Sequence, residues 1–416
     1  MKKDQELISS LNTLPSCASC QKQNLFMGID LGNVPISNEL NTEPGVPSEL
    51  FPLQLFICPD CSLGQAPSRI LPERLFSDYR YLSSVSSTFL AHARDYCASL
   101  ISSKTLTAND LVVEIACNDG YLLKNFLNKD IRILGVEPSI NVSKVAASLG
   151  IPIINEFFGA ELASEIVAKH GYPKLIIANN VLAHVPNIRD FMEGLAILCG
   201  PSTLISVENP SILNILELNQ FDTIYHEHFF YLSCNSVDYL ATEFGLNLFD
   251  IDQLETHGGS NRYWMSKQSI AKTQKLLQEL EREKLSGLFE ENSWKEAEHK
   301  KQNTLDEFKN WLLECNKNGE SVIGYGAAAK ASTLLNATKI EGHLLSEICD
   351  LSAEKVGRFM PTADFEIISY PDFVDRKPVH VVIFPWNIAK EISKQILSDC
   401  SEAKIWIAVP KLSRIK

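Results

Sequence analysis

A chain of 416 residues, 45% hydrophobic and 21% charged, has the length of roughly two to four domains and the composition of a globular protein. Its net charge of −13, with no long basic run, argues against nucleic acid as a partner, and an anionic ligand would need local positive groups or helix N-termini. No apolar run approaches the ~20 residues of a membrane span, and the start, MKKDQELISS, has no apolar core of signal-peptide type. The expected setting is cytoplasmic, without a membrane partner.

Eleven cysteines are spread along the chain. Four of them form two close pairs, Cys17-Ala18-Ser19-Cys20 and Cys58-Pro59-Asp60-Cys61. Two thiolates at this spacing can turn onto one ion, and two such knuckles complete a closed tetrahedral site. Cys17, Cys20, Cys58 and Cys61 are therefore expected to hold one Zn2+, which would supply folding energy to a module too small to bury much core.

The segment Phe76–Ser84 carries Tyr79-Arg80-Tyr81, either a packing hinge or a contribution to a site, and a helical stretch runs on to about Leu100. Leu111–Ile115 is an apolar strand containing Glu114; a tight turn, Ala116-Cys117-Asn118-Asp119-Gly120, leads into a helix expected over Tyr121–Leu127. Strand, turn and helix are the first unit of a nucleotide-binding α/β sheet, but with one glycine the turn lacks the dinucleotide signature Gly-x-Gly-x-x-Gly. Later strands end in Glu137, in Asn179-Asn180-Val181-Leu182-Ala183-His184, and in Glu208-Asn209-Pro210. Polar residues thus gather at carboxyl ends of strands, where open α/β sheets bind ligands. Glu137 suits a ribose diol, although a solvated strand end would look the same.

Tyr225-His226-Glu227-His228-Phe229-Phe230-Tyr231 sets two of the nine histidines around a carboxylate, among aromatics. Imidazoles titrate near neutrality and can move protons there. The spacing is not that of His-Glu-x-x-His on a helix, and it does not separate His226 from His228 as a base. His257-Gly258-Gly259-Ser260 follows, where paired glycines would permit close approach of a ligand to the backbone, with Arg262 a candidate anion contact. Residues 269–318 are charged, nearly glycine-free and patterned as one or two connecting helices. Ser321–Lys330 then repeats strand, glycine turn and helix start, so a helix N-terminus with Lys330 beside it could hold a phosphate. Strand candidates at 347–349, 380–384 and 405–409 make a second Rossmann-like unit.

In this order the motifs resemble those of the S-adenosylmethionine-dependent sugar C-methyltransferases that act on nucleotide-linked keto-deoxysugars. The resemblance spans nearly the whole chain: both Cys-x-x-Cys pairs, Tyr79–Tyr81, Glu114–Leu123, Asn179–His184, Asp222–Ser233, His257–Ser260, and Gly324–Lys330 with Trp386-Asn387. It implies an α/β architecture of a zinc-binding N-terminal module (1–75), a class I methyltransferase domain (76–268), and a helical connector with a C-terminal Rossmann-like domain (269–416). It implies that His228 is the general base, that Tyr225 and Glu227 position it or hold the sugar, and that Tyr79, Asn180 and His184 line the same cavity. Glu114, Ala116, Asn118, Gly120, Glu137, Asn179 and Asn180 would receive S-adenosylmethionine; Asn180, His257, Arg262, Tyr325 and Lys330 would face the nucleotide-linked keto sugar. The chain departs from the pattern at Ala116 and Ala331, where glycine is common, and over Pro361–Ile367. The competing readings are a nicotinamide-dependent sugar oxidoreductase, which the missing dinucleotide signature disfavours, and a zinc-containing adaptor on a degenerate methyltransferase, which would not need the Tyr225–His228 stretch. A monomer and a small homo-oligomer both remain open.

Overall fold

The computed structural model describes residues 16–67, 70–71, 74–75, 83–85, 87–103, 105–361 and 365–416, the side chains of residues 85, 87 and 257 excepted. Tyr79, Thr362, Ala363 and Asp364 thus lie outside the described residues. Among the described residues no helix is long and apolar enough to cross a membrane.

The N-terminal module contains β1 (Phe26–Val34), β2 (Phe51–Ile57) and the two-residue β3 (Gly64–Gln65), paired antiparallel in sequence order. Each cysteine knuckle ends in the same way: Gln21 donates to the Cys17 carbonyl and Ser62 to the Cys58 carbonyl, and both residues adopt left-handed φ. The knuckles are therefore two copies of one turn.

The second sheet begins with β4 (Leu111–Ile115), β5 (Arg132–Val136) and β6 (Ile153–Ile154), continues with β7 (Leu175–Asn179) and β8 (Leu204–Pro210), and ends with β10 (Asn247–Leu254) and β11 (Ser260–Ser266). Its order is β6-β5-β4-β7-β8-β11-β10, with β11 antiparallel to both neighbours. β4 is buried along its whole length, as a central parallel strand covered on both faces must be, which is why it reads as a continuous apolar run. The chain leaves β4 toward β5 and returns to β4's other side with β7, so the turns after β4 and β7 flank the switch-point crevice. Ile188, Phe191, Met192, Leu195 and Leu198 put one apolar face of the helix Ile188–Leu198 on this sheet, and Asn187 caps it through the amide of Asp190. The helix expected over 121–127 is only a 3-10 turn, Leu123–Phe126. Asn125 bonds the carbonyls of Tyr121 and Leu122, and Asn128 turns left-handed, so side chains take the place of helical backbone bonds.

β9 (Phe230–Tyr231) belongs to the N-terminal sheet, not to the second sheet in which its chain neighbours lie: it pairs with β3, Gly64 opposite Tyr231 and Gln65 opposite Phe230. Gly64 makes this possible. A Cβ there would stand 2.4 Å from Ile212 Cδ1 and 2.9 Å from Tyr231 Cβ.

The connector is two helices, Gln274–Leu285 and Glu291–Lys317, broken around left-handed Gly287. Trp294 of the second packs over Gly28 of β1, where a Cβ would come within 2.9 Å of the indole. The third sheet has β12 (Val322–Tyr325), β13 (Glu347–Cys349), β14 (Glu366–Ile368), β15 (His380–Ile383), β16 (Lys404–Ile407) and β17 (Ser413–Arg414), in the order β14-β13-β12-β15-β16-β17. The strands are parallel except for β17, and the switch point lies between β12 and β15.

Glu283 ties the first connector helix to the domain built on the second sheet. Its buried carboxylate accepts from the amides of Cys234 (2.6 Å) and Asn235 (2.9 Å), the first two of the helix Cys234–Glu243, while the N-cap Ser233 takes the amide of Ser236. Negative charge is favoured at that end of a helix. Glu283→Ala should cost about 2 kcal/mol of local stability, seen as faster amide hydrogen exchange along 234–243; unchanged exchange would remove this role.

Candidate active site

One cavity of about 1870 Å³ is lined by all three modules. A pocket for a single small ligand is about 300–1,000 Å³, so there is room here for two sizeable molecules side by side.

Its methyltransferase wall is built on the turns after β4 and β7. Ala116, Asn118 and Gly120 all take left-handed φ, which lets the turn double back tightly. Ala116 holds this conformation with a Cβ, at about 1 kcal/mol relative to glycine. The Asn118 amide donates to Glu137 Oε2 (3.0 Å) and the Ser139 amide to Oε1 (2.9 Å). Glu137 therefore organises the first two strand ends as well as lining the cavity. Burial pushes its carboxyl pKa up, against those hydrogen bonds. Ala116, Asn118, Glu137, Asn179 and Asn180 all line the cavity. Asn179 Oδ1 is buried without a hydrogen-bond partner among the described residues, an acceptor offered to a ligand.

Two residues expected at the cofactor are not at that wall. The Glu114 carboxyl is buried beneath the strands, and Gly120 serves packing: a Cβ would come within 2.5 Å of Ile151 Cδ1.

The Tyr225–His228 stretch is a tight turn, with the His228 amide on the Tyr225 carbonyl (2.9 Å). The Tyr225 hydroxyl lies 2.8 Å from His228 Nε2, and the His184 ring meets the His228 ring edge-on at 4.5 Å. His184 Nδ1 donates to the Glu227 carbonyl (2.8 Å), which leaves Nε2 as the acceptor in its neutral ring. The amides of Phe229 and Phe230 bond the Ala183 carbonyl, so the turn after β7 and the histidine stretch are stitched together. Glu227 is buried; Oε1 accepts from Asn38 Nδ2 at 2.7 Å, and burial raises its carboxyl. Tyr225, Glu227, His228 and His184 all line the cavity.

His226 does not. It turns toward the N-terminal sheet, edge-on to Phe51. Burial holds its pKa down at about 4, against nearby carbonyls of Pro52, Phe51 and Pro35. The structure thus separates two histidines that spacing could not.

Tyr325 and Lys330 line the C-terminal wall. Lys330 Nζ lies over the Trp386 ring and 3.1 Å from Asn387 Oδ1. The helix Ala329–Thr338 begins at Ala328 with no side-chain cap. Asp222 accepts from Trp386 Nε1 (2.7 Å) and locks this wall to the methyltransferase domain; burial pushes its carboxyl up to about 6, opposed by Lys330. Gly258 serves this lock, and both glycines admit a neighbouring side chain. A Cβ on Gly258 would come within 2.4 Å of the Trp386 ring, and one on Gly259 within 2.4 Å of Asn214.

Arg262 is likewise not at the cavity. It pairs with buried Glu208 (2.6 Å) and lies over the Tyr96 ring at 3.6 Å. His92, on the cavity wall, is 3.2 Å from the same carboxylate. Despite burial, hydrogen bonds from His92 and the Arg262 charge hold Glu208 down at about 2. Asn38, Asp222 and His92 were missed as site-wall or wall-locking residues in the sequence because no spacing marks them: each becomes relevant only through a neighbour distant in the chain.

The chain is 31% identical to the C-methyltransferase NovU of Streptomyces niveus, over 96% of this chain and 97% of that protein. It belongs to the C-methyltransferase family. Residues 17–76 match a zinc binding domain, 89–251 a methyltransferase domain and 255–410 the C-methyltransferase C-terminal domain. Among solved structures, magnesium protoporphyrin IX methyltransferase of Synechocystis with bound S-adenosylmethionine is 13% identical, covering 47% of this chain and 89% of its own, with a TM-score of 0.35. A methyltransferase of Anabaena variabilis is 15% identical, covering 42% and 84%, with a TM-score of 0.34. These two are partial likenesses of fold. The enzyme is an S-adenosylmethionine-dependent, zinc-binding C-methyltransferase.

The cysteine cluster fits zinc. The Sγ atoms of Cys17 and Cys61, and of Cys20 and Cys58, lie 3.5 Å apart, and all four fall within 4.8 Å of one another. A tetrahedral zinc–thiolate site needs sulfur separations of about 3.8 Å. Hydrogen bonds from Cys17 and Cys61 hold the Cys58 thiol below its ordinary range. A second group, Cys315, Glu320 and His380, is also close enough to share an ion, but it does not suit one. Trp406 Nε1 donates to His380 Nδ1 (3.0 Å), so the neutral ring keeps its proton on Nε2, the nitrogen a metal would need.

Two outcomes are expected of this C-methyltransferase. Stripping zinc with a chelator should unfold the N-terminal module and abolish methyl transfer, while S-adenosylmethionine affinity falls much less; full activity in metal-free protein would contradict the role given to the cluster. His226 takes a proton near pH 4 when folded and near 6.5 when unfolded. The unfolded state binds more protons between those values, so stability is lost as pH falls through that window, by about 3 kcal/mol. His226→Phe should flatten this slope in chemical unfolding while sparing methyl transfer.

Proposed function

We propose that the enzyme methylates the carbon next to the carbonyl of a nucleotide-linked keto-deoxysugar, with His228 as the base. The observation that carries the reading is the group His228, Tyr225 and His184 on the wall of a cavity bounded by two α/β switch-point crevices. One crevice belongs to the methyltransferase domain. The other presents an uncapped helix N-terminus with Lys330 beside it, features that suit a diphosphate on an otherwise acidic protein.

A carbonyl makes the proton on its neighbouring carbon acidic. His228 takes that proton, and the electron pair moves onto the carbonyl oxygen. The Tyr225 hydroxyl serves the ring in both states, donating to the bare nitrogen and accepting from the protonated one. His184 would meet the developing oxyanion as its imidazolium, its Nδ1 proton held on the Glu227 carbonyl. S-adenosylmethionine supplies the methyl group as an electrophile and leaves as the thioether. The substrate carbon then carries a new C–C bond, the carbonyl is restored, and His228 returns its proton to water. Orientation and stabilisation of the oxyanion would supply most of the rate.

In this reading residues 1–75 carry the zinc and one wall of the site, 76–268 the cofactor and base, and 269–416 the nucleotide. A small nucleotide-linked substrate would suit a reaction in the cytoplasm.

The test is a mass-spectrometric assay against a panel of nucleotide-linked 4-keto sugars. The wild-type enzyme should add one methyl group to a member of the panel. His228→Asn should lower kcat by about 10²–10⁴-fold with S-adenosylmethionine binding by calorimetry unchanged. Near wild-type turnover in that variant would dismiss His228 as the base.

A further inference from the structure

We propose that Asn38 is a positioning residue of the active site, through which the zinc-binding module acts directly on the carboxyl of Glu227. The proposal rests on the keto-sugar reading above for its chemistry, but its geometry is independent of the substrate. Asn38 lies in the connection between β1 and β2, far in sequence from the cysteines and from Glu227. Its Nδ2 donates to Glu227 Oε1 at 2.7 Å, and both residues line the cavity. Glu227 is almost fully buried, and its other oxygen, Oε2, has no hydrogen-bond partner among the described residues. A carboxyl held by one oxygen with the other unengaged is an acceptor kept for something else. At this wall, the substrate or a proton in transit is what it would meet.

The connection that carries Asn38 is held at several points. Asn41 and Phe359 of the C-terminal domain exchange backbone hydrogen bonds, each 2.9 Å. Arg74 grips Glu39 with two bonds (2.6 and 2.9 Å) and Glu49 with one (2.8 Å). Those carboxylates are exposed, so their ion pairs contribute little energy, but three bonds from one guanidinium restrict the loop. Asn38 is therefore presented to Glu227 by a segment anchored on two sides.

A donor on Oε1 has two effects. It restricts rotation of the carboxyl and so fixes where the unpartnered Oε2 sits. It also favours the charged carboxylate, working against burial, which raises the carboxyl. The other titratable groups about Glu227 are Glu39 on the Asn38 connection, His184 after β7, and His226, His228, Tyr225 and Tyr231 on its own stretch. Of these, Glu39 pushes the carboxyl further up. Losing the Asn38 amide should therefore move the titration of Glu227 to higher pH, and placing a carboxylate at position 38 should move it further.

The test uses the zinc-loaded full chain and the variants Asn38→Ala and Asn38→Asp. Zinc content, Tm and S-adenosylmethionine affinity by calorimetry should stay at wild-type values. The Glu227 carboxyl band, assigned by its loss in Glu227→Gln, is followed by infrared titration and should move to higher pH in both variants, more in Asn38→Asp. On the keto sugar, kcat should fall about 10–100-fold with little change in KM, and the pH profile should shift in the same sense as the band. If Asn38→Ala fails to fold, the isosteric Asn38→Asp answers alone. An unmoved carboxyl band with zinc and Tm intact overturns the proposal. If the wild-type enzyme methylates no keto sugar, the functional reading falls, and the infrared titration still decides whether Asn38 controls Glu227.

Discussion

The pairing of β3 with β9 is the contact on which the site depends. Four residues make it, Gly64 and Gln65 on one side and Phe230 and Tyr231 on the other. β3 follows the second cysteine knuckle almost at once, and Gln65 bonds back to the backbone of the first through Ala18 and Ser16. β9 follows His228 with one residue between. Ser62 of the knuckle and Ser233 beyond β9 are joined at 2.5 Å. The position of the candidate base is thus set by a short chain of contacts that begins at four sulfur atoms. A two-stranded pairing this short has little stability of its own; cross-linking one partner with a metal removes most of the entropy that would pull it apart.

That dependence explains why a small metal module sits on a methyltransferase. A class I domain already has a cofactor crevice. It lacks a rigid support for a loop that must present an imidazole, a phenol and a carboxyl at fixed distances. Here the support comes from outside the domain, and so does part of the far wall. Trp386 reaches across to Asp222 and fills the space over Gly258. The acidic surface of the protein is offset locally, because the second crevice offers Lys330 and an uncapped helix start.

The sequence made the strands and the cysteine site legible, because each is written in local pattern: apolar runs that end in polar residues, and paired knuckles. Register and long-range partners are not local, and there the reading erred or stopped. Arg262 looked like an anion contact because its partner, Glu208, lies 54 residues away in the chain. The paired glycines looked like a ligand approach because a tryptophan 128 residues further on is what they admit. The helix expected after Gly120 shrank to a turn, with the Asn125 side chain on the backbone carbonyls and Asn128 in a left-handed conformation. Spacing alone did not separate His226 from His228; the structure does, because β2 places Phe51 against His226.

Because β9 is a strand of the N-terminal sheet, the units that are contiguous in sequence are not the units that could be exchanged between relatives. A chimera joined at residue 76 would pair one protein's β3 with another's β9 and set one protein's Gly64 against another's Ile212. Recombination of substrate preference across such enzymes would have to carry the stretch from Asp222 to Ser233 together with the cysteine module, as a single inherited piece split in two by the chain.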